Sequence, residues 1–182
     1  VAYDGMEKFF PKSKILLTGN PVRSNLVNLI SSDKSKKHFD LDPKIKTLVV
    51  LGGSLGSERI NELIKSNLDL FDELDLQVLW QCGQLYYEKY KKDASNKVVI
   101  KPFISKMEQL YAAADFIISR AGAGSISELS CVGKPILLIP SPNVTANHQY
   151  RNAQALVKGN AALMVEEKDL EEKFKKYFLR SG

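Results

Sequence analysis

What this sequence has little of narrows it before any motif is read. It contains two cysteines, Cys82 and Cys131, far apart and without the C-x-x-C spacing of a zinc or redox site. A disulfide framework and a structural zinc are thereby excluded, and both thiols are expected to be buried and reduced. No apolar run approaches the roughly 20 residues that cross a bilayer as a helix, and no signal-peptide pattern opens the chain. A soluble, cytoplasmic protein is expected. The chain also starts without Met, so it reads as a piece of something longer. Charge of one sign is in small excess only: a net +5 comes from 26 Lys and Arg against 21 Asp and Glu, mostly interspersed. A solvated surface accounts for that balance without a nucleic-acid partner. Even the densest cluster, Lys34-Ser35-Lys36-Lys37-His38, reads as an exposed loop or helix end.

What is present is a composition with enough apolar side chains for one ordinary core, 44% of 182 residues. Apolar runs end repeatedly in glycine or proline turns. Residues 47–51 are almost wholly apolar and β-branched, as a parallel strand covered on both faces requires. They run into Gly52-Gly53-Ser54-Leu55-Gly56-Ser57 and then a helix with Ile60, Leu63 and Ile64 at helical spacing. Further strands are expected at 77–81, 98–101, 116–118, 135–139 and 161–165. Helices are expected between them near 85–90, at 105–113, from the turn at 120–125 to Gly133, and through Leu156 and Val157 to Gly159. A short strand candidate at 15–17 breaks at Thr18-Gly19-Asn20-Pro21. The stretch 24–44 reads as a helix and then a polar linker ending at Asp42-Pro43. Leu170, Phe174 and Phe178, four apart, mark an amphipathic tail helix, which docks on this domain or on an absent one. Regular alternation of strand and helix gives an α/β fold, a doubly wound parallel sheet of the Rossmann-like kind. The division is 1–23 as a remnant of a preceding domain and linker, 24–166 as the nucleotide-binding domain, and 167–182 as a C-terminal helix.

Two strand-to-glycine-to-helix turns suit a diphosphate, because exposed N–H groups and the helix dipole face an anion at a helix N-terminus. In Arg120-Ala121-Gly122-Ala123-Gly124-Ser125, Gly122 and Gly124 are expected to use positive φ and admit a close ligand. Small residues here also serve plain helix-on-sheet packing. Neither turn fits the G-x-G-x-x-G fingerprint, and Asp69 and Asp72 lie in what reads as a helix-end loop rather than at the ribose position, so NAD is disfavoured. With no G-x-x-x-x-G-K-[ST], ATP hydrolysis of the P-loop type is disfavoured too. Glu128, on the first turn of its helix, is either a dipole-stabilised acid or a carboxylate for two ribose hydroxyls. His148 lacks Ser and Asp partners for a triad and reads as a hydrogen-bonding residue. Asp40-Leu41-Asp42 follows a polar segment, not a strand, and is rejected as a nucleotide-metal motif.

Thr18-Gly19-Asn20-Pro21-Val22-Arg23, the 52–57 turn with Asn61, the run from Arg120 to Glu128, and His148-Gln149-Tyr150-Arg151-Asn152-Ala153 together resemble the C-terminal half of the MurG family. These are bacterial UDP-N-acetylglucosamine:lipid I N-acetylglucosaminyltransferases of peptidoglycan synthesis with a GT-B fold. The resemblance covers nearly the whole chain. It departs from the common pattern at His148, where glutamine is frequent, and at Ala121 and Gly124, where bulkier residues often stand.

The resemblance implies a role for each matching position. The backbone of Ile104 would meet uracil, with Arg23 and Phe103 nearby; Glu128 would take the ribose hydroxyls. Ser54 and the amides of Ala123, Gly124 and Ser125 would hold the diphosphate. Gln149 and Asn152, with His148 beside them, would bind the sugar. It implies no metal, no cofactor and no catalytic base in this part of the chain. UDP-N-acetylglucosamine would be the donor. The missing half would supply the lipid I site and peripheral contact with the inner face of the bacterial cell membrane. Other GT-B enzymes, a UDP-sugar:diacylglycerol glycosyltransferase or a UDP-GlcNAc 2-epimerase, and a non-catalytic nucleotide-binding module remain open.

Overall fold

The computed structural model describes residues 6–16, 18–26, 29, 31–142 and 147–179. Six parallel strands form one sheet in the order β3-β2-β1-β4-β5-β6: β1 Lys46–Leu51, β2 Leu76–Gln81, β3 Val98–Lys101, β4 Phe116–Ser119, β5 Ile136–Leu138 and β6 Leu163–Met164. The order reverses between β1 and β4, which pair from Leu48 against Phe116 to Leu51 against Ser119. Ligands of open α/β sheets bind outside the carboxyl ends of the strands at this switch point.

Strand side chains alternate between two apolar layers. Leu48 and Val50 of β1 join Val78, Trp80 and Ile118 on one face, under α2 (Glu58–Ser66), α3 (Leu68–Glu73) and α4 (Tyr87–Tyr90), whose Tyr90 is buried. Val49 and Leu51 face the other way, with Leu79, Ile117 and Leu138, against α5 (Met107–Ala113), α6 (Ala123–Val132) and α7 (His148–Lys158). The tail helix α8 (Leu170–Phe178) docks on this domain: Phe174 and Phe178 are buried, and the Phe178 ring lies 5.3 Å from Phe71 and 5.1 Å from Phe116.

Several expectations are corrected. Ile15 and Leu16 form no strand, and Leu17 lies outside the described residues, as do residues 180–182 of the expected C-terminal helix. The last strand is only two residues long and pairs with β5 alone at the sheet edge. Asp69 and Asp72 lie within α3, and Cys131 is exposed while Cys82 is buried.

The stretch before β1 is not a linker. After a short helix α1 (Asp33–His38), Phe39 and Leu41 are buried in the second layer. Lys36, in the cluster expected to be exposed, is buried; its Nζ donates to the Ile45 carbonyl (2.8 Å) and to Asp115 Oδ2 (2.7 Å), which also accepts from the Thr47 N–H (2.8 Å). Gln77 clasps Asp42 through both its N–H and its carbonyl, at 2.9 and 2.7 Å. A composition rich in lysine hid this because the lysine stem packs while its ammonium finds acceptors. Lys36→Met should therefore cost about 1.5–3 kcal/mol in urea unfolding, the range for hydrogen bonds to charged groups. A linker position would stay within about 0.5 kcal/mol.

Candidate functional site

Two turns at the switch point build the site. The first, after β1, bends at Gly53 (φ 90°) and Gly56 (φ 83°), closed by the Gly56 N–H donating to the Gly53 carbonyl (3.1 Å). Ser57 then caps α2, its Oγ accepting from the Ile60 N–H (3.3 Å). Gly56 lies flat on the end of β2: a Cβ there would overlap the Cys82 carbonyl and sit 2.9 Å from Gly83 Cα. Asn61, fully buried, pins the same place by donating to the Cys82 carbonyl and accepting from the Trp80 indole, both at 2.8 Å. Gly56→Ala should lose about 2–6 kcal/mol in urea unfolding, since left-handed strain and overpacking cost about 1–3 kcal/mol each. By contrast, Gly124→Ala, with nothing within 4 Å of the added Cβ, should be neutral or slightly stabilising, as a helical Gly→Ala change is.

The second turn corrects the expectation about its glycines. Neither Gly122 nor Gly124 has positive φ; Gly122 is extended (φ −63°) and is the N-cap of α6, and Gly124 is already helical. What glycine gives at 124 is open space beside the backbone. Because α6 starts at Ala123, Glu128 falls on the second turn, not the first, and no acidic residue lies in the first turn. The first N–H groups of α6 have no intrahelical acceptor and no side-chain cap.

Glu128 is held from two sides. Arg23 pairs with its Oε1, and the Tyr111 hydroxyl donates to Oε2 (3.0 Å). Burial of Tyr111, and then the Glu128 charge, push that phenol well above its usual value of 10.0. It therefore stays a proton donor throughout the neutral range and fixes the carboxylate's rotamer.

The candidate residues divide between two cavities that share Gly53, Ser54 and Ser125. The smaller, about 330 Å³, is lined by Arg23, Phe103, Ile104, Gly124 and Glu128 besides the shared residues. Phe103 is half-exposed at its rim, whereas Ile104 is buried and its N–H donates to Gln81 Oε1 (2.8 Å). The larger, about 670 Å³, lies between the two helix N-termini and reaches Gln149. Gln149 Oε1 accepts from the Ala121 and Ser141 N–H groups (3.3 and 3.0 Å), and Asn152 Nδ2 donates to the Ala121 carbonyl (3.0 Å). Both amides thus fix the second turn. Ala123 and Asn152 line neither cavity, and His148 is exposed at the start of α7, also outside both.

Three residues escaped the sequence reading. Arg120 contacts Ser57 Oγ, donates to the Ile139 carbonyl (3.1 Å) and pairs with Glu167, tying both turns to the segment before α8. Its one sequence cue is a cation placed directly between an apolar strand and a glycine turn. Tyr111 and Gln81 gave no cue, since each reads as an ordinary residue of a helix or strand.

A doubly wound sheet whose switch point carries two uncapped or glycine-bent helix starts is the framework of a nucleotide-binding α/β domain. Residues 47–181 match the glycosyltransferase family 28 C-terminal domain, and the chain belongs to that family. It is 48% identical over 180 residues to a UDP-N-acetylglucosamine–N-acetylmuramyl-(pentapeptide) pyrophosphoryl-undecaprenol N-acetylglucosamine transferase of Flavobacterium psychrophilum, covering 98% of this chain and 49% of that one. The protein of the same name from Christiangramia forsetii is 49% identical over 178 residues, covering 97% and 49%. Among solved structures, Acinetobacter baumannii MurG superposes with a TM-score of 0.63 at 29% identity, over 87% of this chain and 46% of that one. The chain spans about half the length of the curated relatives it matches.

Proposed function

We propose that this chain is the donor-binding half of an inverting N-acetylglucosaminyltransferase, one that binds UDP-N-acetylglucosamine and delivers its sugar to lipid I, forming lipid II. The observation that carries this reading is the pair of cavities meeting at Ser54 and Ser125, with a held carboxylate in one and two helix N-termini around the other. The names of the relatives specify the same donor and an undecaprenyl diphosphate acceptor.

In this reading the diphosphate lies at the shared wall, on Ser54 and the Ser125 amide, with the Gly124 and Ala123 amides of the same helix start directed toward it. Among the described residues the arginines lining the cavities, Arg23, Arg59 and Arg120, are each paired with a carboxylate, so backbone N–H groups and helix dipoles supply the positive potential that is not already matched. The same groups stabilise charge building on the departing UDP as the acceptor hydroxyl displaces it with inversion at the anomeric carbon, a preorganised contribution. Uridine enters the smaller cavity, with Phe103 against the base and Glu128 accepting both ribose hydroxyls. The Ile104 N–H is engaged by Gln81, so its carbonyl is the group that takes the uracil N3–H. Cytosine presents an acceptor at that position and leaves two acceptors facing each other. Sugar hydroxyls meet Gln149 Nε2, the amide end not spent on Ala121 and Ser141, while Asn152, outside the cavity, holds the turn through the Ala121 carbonyl.

The acceptor site, the catalytic base and peripheral contact with the inner face of the cell membrane are assigned to the part of the longer protein outside this chain. Among the described residues no helix is long and apolar enough to cross a membrane. The purified chain should accordingly bind UDP without transferring GlcNAc to a lipid I analogue.

Glu128→Ala should weaken UDP binding by about 1.5–3 kcal/mol, as hydrogen bonds to a charged group contribute, and should scarcely change binding of 2′,3′-dideoxy-UDP. Calorimetric titration of both ligands decides it. Equal losses for the two would show that Glu128 acts on the fold and not on ribose.

A further inference from the structure

The last side chain of β2 bridges the two halves of the groove. Gln81 is buried, at 5% exposure, in register with Leu51 of β1 on one side and Lys101 of β3 on the other. Its Nε2 donates to the Gly53 carbonyl (3.2 Å), and its Oε1 accepts from the Ile104 N–H (2.8 Å). Both contacts fall in the smaller cavity, which Gln81 also lines.

The chemistry of these partners demands an amide. A carbonyl needs a donor and an N–H needs an acceptor, and of the side chains long enough to reach both, glutamine offers one of each without charge. Gly53 is itself a junction, since its carbonyl also receives the Gly56 N–H that closes the first turn. Gly53 sits in left-handed backbone (φ 90°), so the direction of its peptide groups is set by such bonds and not by a side chain. Ile104 follows β3, and its backbone direction is set by the same amide.

We propose that Gln81 is a positioning and specificity-determining residue that couples reading of the base to binding of the diphosphate. It anchors Ile104 through its N–H, in the peptide unit that precedes the carbonyl facing the base, while its bond to the Gly53 carbonyl anchors the Gly53–Ser54 peptide of the first turn. The two ends of the ligand thereby meet one preorganised surface instead of two independent loops. This inference rests on the donor-site reading above.

The test uses the chain as it is, with two substitutions that sever different arms of the bridge. Gln81→Glu keeps an acceptor for the Ile104 N–H but loses the donor to Gly53. Gln81→Met loses both. Calorimetric titrations with UDP, CDP and uridine are run on each protein, with thermal melting as the measure of folding. Wild type should prefer UDP over CDP by about tenfold or more, the factor that one lost hydrogen bond represents. Gln81→Glu should keep that preference within about twofold, yet lose about tenfold in UDP affinity while uridine is nearly unaffected, because the damage lies at the phosphate end. In Gln81→Met the preference itself should collapse toward unity. If the methionine variant does not fold, the isosteric glutamate variant carries the test through its UDP-to-uridine ratio. Lowered melting temperatures with both ratios unchanged would overturn the coupling and leave Gln81 a structural residue only. Wild type that fails to discriminate UDP from CDP would overturn the donor-site reading, and this inference with it, a result distinct from the first.

Discussion

The site depends on two backbones meeting with no side chain between them. Gly56 and Gly83, both in left-handed conformation, let the turn after β1 lie directly on the end of β2. Only that approach brings the Cys82 carbonyl within reach of Asn61, so that α2 is hung from the end of the neighbouring strand. The start of α2 then stands beside the start of α6, and the space between them is the larger cavity. A methyl group at either glycine would push the turn outward and separate the two helix starts. Steric permissiveness at two positions thus places the electrostatics of the whole groove.

Among the described residues, each arginine lining the groove is paired with a carboxylate, Arg59 with Glu171 among them. Arg120 is matched by Glu167, and Arg23 by Glu128. Pairing leaves the positive ends of the helices as the potential an entering diphosphate meets. Arg120 also grips Ser57, the cap of α2, so one guanidinium supports both turns at once. The Arg120–Glu167 pair is largely buried, at 11% and 17% side-chain exposure, where desolvation offsets much of the Coulombic gain, so it contributes to geometry more than to net stability.

Much of the framework was legible because it is written in short range. Apolar β-branched runs such as 47–51 and 116–118 mark buried parallel strands, glycine turns mark their ends, and the spacing of Leu170, Phe174 and Phe178 marks a docked helix. The motif residues of the smaller cavity were legible too: Arg23, Ser54, Phe103, Ile104, Gly124, Ser125 and Glu128 come together. What stayed hidden are polar contacts between residues far apart in sequence. Lys36 finds Asp115 79 residues away, Gln81 finds Ile104 23 residues away, and Arg120 reaches Ser57 63 residues back. No local pattern encodes such partners. Glu128 was misplaced by one helical turn because the cap is Gly122 and not a side-chain cap, and a glycine cap leaves no polar residue to mark the boundary. His148, where the resemblance departs from the common pattern, lies exposed at the start of α7 and outside both cavities.

Amide chemical shifts followed during a UDP titration test the central claim most directly, because they report where on the sheet the nucleotide sits. The largest changes are expected at Ser54, Ile104, Ala123, Gly124 and Ser125, with Lys46, Leu76 and Pro135-flanking amides at the opposite end of the sheet unmoved. Shifts spread over the amino ends of the strands, or absent from the first turn of α6, would contradict a diphosphate site at the switch point.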